Sequence, residues 1–156
     1  MAKELTKSTI EKILWIQDPD GRLSTESYRD TLQERYANLV IDTYQNAEDA
    51  MSILNDVEEG ERAPYLVVTD VRITPGEGYP VDFDEFTSYE GVAGDLAQRI
   101  KFHHPEVPVV AIGTWDRRRP HPALFPSDYV KDVSAFVNLS DTNIEDFVVV
   151  MDRYLK

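Results

Sequence analysis

Short β-rich apolar runs alternate along this chain with segments whose apolar residues recur at helical spacing, and that alternation limits the fold to very few choices. Ile13-Leu14-Trp15-Ile16 is the first run, closed by the turn-forming Gln17-Asp18-Pro19-Asp20-Gly21. From Ser24, which can cap, to Tyr36, the residues Tyr28, Leu32 and Tyr36 share one helical face. A second strand is expected over residues 38–44. Asn46 then caps a helix carrying Ala50, Met51, Ile53, Leu54 and Val57 and ending near Gly60. Leu66-Val67-Val68, running into Thr69-Asp70, is uninterruptedly apolar, as suits a central parallel strand covered on both faces. A helix at about 91–102 and a strand at 107–112 follow. A strand at 135–139 and a helix over 142–154, with Ile144, Phe147, Val148 and Met151 on one side, close the chain.

Five such β/α units predict an α/β architecture: a three-layer, doubly wound sandwich around a parallel five-stranded sheet of order 2-1-3-4-5, flavodoxin-like in form. Two stretches break the regularity. Residues 71–89 hold Pro75, Gly76, Gly78 and Pro80 followed by Asp82, Asp84 and Glu85, and a connection of that length is read as an insertion. At about 115–127, Pro120, Pro122 and Pro126 forbid a long helix, leaving room for one short turn near residues 128–131. The expected organisation is a polar lead-in at 1–10 and one domain over 11–156.

Composition narrows the function classes. The 156 residues include 29 acids against 16 Lys and Arg, a formal net charge of −13 that repels a phosphate backbone and argues against direct nucleic-acid binding. Cysteine is absent, which excludes disulfides, thiol nucleophiles, zinc ribbons and iron–sulfur sites. No leader or membrane-spanning run is legible, so a cytoplasmic protein is expected. A 156-residue domain buries roughly 70% of the surface of its unfolded chain, enough for one core without staples.

In a sheet of this kind ligands bind beyond the carboxyl ends of the strands, where the strand order switches. The residues there are Asp18, Asp70, Gly113 with Thr114, and Leu139. If the first and third strands are neighbours, Asp18 and Asp70 face each other, and two carboxylates that close suit a hard cation such as Mg²⁺.

With those residues in place, the chain resembles the receiver domain of two-component response regulators, the CheY-like family, over about residues 11–156. The resemblance rests on Lys12-Ile13-Leu14-Trp15-Ile16-Gln17-Asp18, Leu66-Val67-Val68-Thr69-Asp70, Val107-Pro108-Val109-Val110-Ala111-Ile112 and Ala135-Phe136-Val137. It implies a phosphoacceptor at Asp70 and a Mg²⁺ site made by Asp18, Asp70 and the backbone carbonyl of Arg72. It also implies a non-enzymatic role in a phosphorelay, with a histidine kinase or phosphotransfer protein upstream and a downstream signalling partner. A homodimer is compatible with it. Departures accompany the match. Gln17 replaces the first of the family's paired acids, so Mg²⁺ affinity should fall. Gly113 aligns with the phosphate-sensing Thr or Ser, and Thr114, one residue on, faces the other way unless a bulge intervenes. Leu139 aligns with the family's Lys and cannot pair with a phosphoryl group, leaving Lys131 or Arg117-Arg118-Arg119 as other cations. Phe136 falls at the switch aromatic. The pattern therefore fits a divergent receiver or a phosphorylation-independent pseudo-receiver that acts only through protein contact.

A rival of another class is a haloacid-dehalogenase-type phosphatase using Asp18 and Asp20. Asp18-Pro19-Asp20-Gly21 resembles its DxDG signature, and Ile112-Gly113-Thr114 its second motif. Only Lys131-Asp132 is available for its later cation and acid, and Asp70 is left unexplained. His103-His104 invites a metal reading, but adjacent helix-end histidines point apart and are better explained by the helix dipole. The Asp82–Glu85 stretch has neither the spacing nor the glycine of a calcium loop.

Overall fold

The computed structural model describes residues 12–17, 25–56, 65–71, 73, 76, 90–113, 133–139 and 142–155. Five strands, β1 (Lys12–Ile16), β2 (Val40–Tyr44), β3 (Tyr65–Asp70), β4 (Val109–Gly113) and β5 (Ala135–Asn138), form one sheet of order β2-β1-β3-β4-β5 in which every pairing is parallel. Four described helices accompany it: α1 (Glu26–Arg35), α2 (Ala47–Asp56), α3 (Glu90–His103) and α4 (Ile144–Leu155). This is the expected doubly wound sandwich, and its strand order puts β1 beside β3.

Side chains alternate across the strands into two apolar cores. Leu14, Ile16, Val67, Val109 and Ala111 join α2 and α3 through Leu54, Leu96 and Ile100. Ile13, Trp15, Leu66, Val68, Val110 and Ile112 join α1 and α4 through Leu32, Phe147 and Met151. The central strands read as continuous apolar runs because both of their faces are covered. On the second face Tyr28 and Trp15 both meet the Phe147 ring edge-on, at centroid distances of 5.1 and 6.2 Å.

Element ends follow local chemistry and shift several expected boundaries. α1 begins at Glu26 after Thr25, whose carbonyl accepts the Arg29 amide (3.1 Å); Ser24 lies outside the described residues. The Asn46 side chain caps α2 by accepting the Asp49 amide at 2.9 Å, as expected. Asn143 does the same for α4, accepting the Asp146 amide at 2.8 Å, so that helix starts two residues later than Thr142. β2 starts at Val40 because a turn, closed by the Leu39 amide on the Tyr36 carbonyl (3.1 Å), precedes it. β4 starts at Val109 because Val107 donates to His104 (3.0 Å) and Pro108 has no amide hydrogen to give.

The two helices of the second face are tied by charge. Asp152 on α4 accepts Arg35 Nε (2.9 Å) and Nη2 (2.6 Å) and the Tyr36 hydroxyl. These contacts hold the guanidinium protonated well above its ordinary range, while burial, followed by the bond to Asp152, pushes the Tyr36 hydroxyl up. Among the described residues no helix is long and apolar enough to cross a membrane.

Candidate functional site at the carboxyl end of the sheet

Asp70 is the last residue of β3 and is only 4% exposed. A carboxylate in that position is costly unless hydrogen bonds or a cation compensate it, which makes it the side chain on this edge with the clearest chemical meaning. Its surroundings follow from register. Asp70 pairs with Ile112 on β4, and Ile112 with Val137 on β5, so its neighbours on that side are two buried apolar residues. On the other side Ile16 pairs with Thr69, the last β1–β3 pair, and Gln17 and Asp70 are the next residues of the two chain segments. The Gln17 amide donates to Tyr44 at 2.8 Å, which extends the β1–β2 ladder to that residue.

Toward β4 and β5 the register neighbours of Asp70 are hydrocarbon, and the residue that follows β1 is the neutral Gln17. Leu139 follows β5, packs with the α1/α4 core, and donates its amide to the Gly113 carbonyl at 2.7 Å. No cationic side chain stands at that position. Phe136 lies on the opposite face, paired with Ala111 and packed against the α2/α3 core. Asp18, Arg72 and Thr114 lie outside the described residues, as do Asp20, Arg117–Arg119, Lys131, Asp82–Glu85 and the short turn expected near residues 128–131. Among the described residues, no group of three or more His, Asp or Glu side chains gathers in a way that could hold a metal ion.

The residue that sequence reasoning missed is Val71. It is 5% exposed, donates its amide to the Ile112 carbonyl at 2.8 Å, and rests on Gly113: a Cβ at position 113 would lie 2.6 Å from Val71 Cγ2. Gly76 is the only described glycine with positive φ (+92°), so Gly113 is needed for space rather than for its backbone. Gly76 itself sits against α2, where a Cβ would come within 2.7 Å of Glu48. The histidines separate as expected. His103 is exposed, while His104 is buried with Nε2 2.9 Å from Asn55 Oδ1.

No protein-family model matches the chain, and no curated protein matches it. Solved structures do. A LuxR-family DNA-binding response regulator from Staphylococcus aureus is 19% identical with a TM-score of 0.60, over 92% of this chain and 98% of that one. Response regulator TrrA of Thermotoga maritima, in complex with Mg²⁺ and beryllofluoride, is 19% identical with a TM-score of 0.59, over 94% and 100%. A protein described as one of a family of streptococcal redox sensors evolved from two-component response regulators is 12% identical with a TM-score of 0.60, over 93% and 51%. Five parallel strands in the order 2-1-3-4-5, a buried aspartate ending the third, and these neighbours together give the chain the response regulator receiver fold.

Proposed function

We propose that the chain is a signalling receiver that accepts a phosphoryl group on Asp70 and regulates a partner by protein contact. The observation that carries this reading is a nearly buried carboxylate at the end of the central strand, at the switch in strand order, where such sheets bind ligands. In this reading one Asp70 oxygen attacks the phosphorus of the donor, and the donor leaves with the bonding pair. Mg²⁺, held by Asp18, Asp70 and the Arg72 carbonyl, would neutralise charge on the transferred group. Gln17, the residue that follows β1, removes one negative charge from the surroundings of that donor set and weakens metal binding. By resemblance Phe136 falls at the family's switch aromatic, and Thr114 is the hydroxyl next to Gly113, which stands at the phosphate-sensing position. The phosphoryl donor is a histidine kinase or phosphotransfer protein, and a further signalling protein reads the output. Asp70, unexplained by a phosphatase built on Asp18 and Asp20, favours this role over an enzymatic one.

A second reading is supported by Leu139, packed with the core where a cation would pair with a phosphoryl group, and by Gly113 at the end of β4. In it the same fold serves as a protein-interaction module without phosphoryl transfer. One experiment separates the two. Amide NMR spectra are recorded with Mg²⁺ and beryllofluoride for the wild type and for Asp70→Asn. Shifts around Asp70 and Gly113 that vanish in the variant support the acceptor, and an unresponsive spectrum at millimolar Mg²⁺ leaves the interaction module.

A further inference from the structure

Backbone hydrogen bonds join the ends of β3, β4 and β5. Val71 donates to Ile112 (2.8 Å) and Leu139 to Gly113 (2.7 Å), so the three strands stay bonded to their last residues and one step beyond. Over this edge the branched side chain of Val71 lies on the bare backbone of Gly113, with Cγ2 and Cγ1 2.6 and 3.4 Å from where a Cβ would stand. Valine is stiff at χ1, and Val71 is buried, so its methyl groups have little room to swing aside. Phe136 comes off the next strand on that same face, already packed against the α2/α3 core.

We infer that Val71 is a steric lock, which holds the end of β3 against the end of β4 in one arrangement and prevents events at Asp70 from being transmitted across β4 to Phe136. The inference rests on the reading of Asp70 as the functional centre and adds that its output does not run through the β4–β5 edge. The contact is specific to a glycine–valine pair. Any side chain at position 113 collides with Val71, and only a smaller residue at position 71 would let the end of β4 carry one or move.

The test uses the full chain and a mutant cycle. Gly113→Ala should lower the folding equilibrium constant about tenfold or more, the ordinary consequence of overpacking, whereas in a Val71→Ala background the same change should lower it less than about threefold. Relaxation-dispersion NMR provides a second readout. The wild type should show no microsecond-to-millisecond exchange at Gly113 or over Phe136–Leu139, and Val71→Ala should introduce it. An equal cost of Gly113→Ala in both backgrounds, or exchange already present in the wild type, overturns the lock. Addition of Mg²⁺ and beryllofluoride keeps the two claims apart: shifts at Asp70 that stop short of Phe136 support the lock, and shifts that reach it contradict it. If Asp70 does not respond, the acceptor reading fails while the mutant cycle and the exchange measurement still decide the lock.

Discussion

Asp152→Ala should be among the costlier substitutions outside the apolar core, and its magnitude can be built from the contacts. Its carboxylate accepts two bonds from Arg35 and one from Tyr36. Arg35 is 38% exposed at its side chain, so loss of that ion pair costs only about 0.2–1 kcal/mol. Tyr36 is 1% exposed, and stranding its hydroxyl costs about 1–3 kcal/mol. The sum is about 1–4 kcal/mol, each kcal/mol being worth roughly 2–4 °C in melting temperature for a domain of this size. Urea denaturation of the wild type, Asp152→Ala, Tyr36→Phe and the double variant measures it at constant m-value. In the Tyr36→Phe background the cost should fall to about 1 kcal/mol, since only the exposed ion pair is left to lose. An undiminished cost there, or a total below about 0.5 kcal/mol, would refute the assignment of most of the energy to the buried hydroxyl. The same cluster sets an alkaline limit. The folded pKa of Tyr36 is raised, chiefly by burial, so its contribution is fully present below the ordinary tyrosine value of 10.0 and is lost as pH rises through the raised value. Tyr36→Phe should flatten that decline.

Three further outcomes are expected. Phe147→Ala removes the ring that Trp15 and Tyr28 both meet and should destabilise the fold by about 3–5 kcal/mol in denaturant titrations. Asn46→Ala loses the cap on the Asp49 amide and should cost about 0.5–2 kcal/mol by thermal melts, with Asn46→Asp close to neutral. Gln17→Asp adds a carboxylate directly after β1 and should tighten Mg²⁺ binding, measured by calorimetric titration; unchanged affinity would remove Gln17 from the metal's surroundings.

Much of this architecture was legible in the sequence because burial on both faces writes parallel strands as unbroken apolar runs. Leu66-Val67-Val68 and Val109–Ile112 needed no partner information to be read. Helix faces were equally plain, since Leu32 and Tyr36 or Phe147, Val148 and Met151 repeat at helical spacing and do pack inward. Asp70 was found by the same route, as an acid closing an apolar strand. Features built from distant residues were not legible. Arg35 and Asp152 are 117 positions apart, and nothing local to either announces the pairing. Val71 looked like the first residue of a loop because its role depends on the β3–β4 register and on the missing side chain of Gly113, which together decide that its methyl groups rest on backbone.

The central claim, that Asp70 accepts a phosphoryl group, is tested most directly by intact-mass measurement after incubation with a small acyl phosphate, with and without Mg²⁺. The wild type should gain the mass of one phosphoryl group in a Mg²⁺-dependent manner, and Asp70→Asn should gain none. No uptake by a folded wild type, or equal uptake by Asp70→Asn, would contradict it.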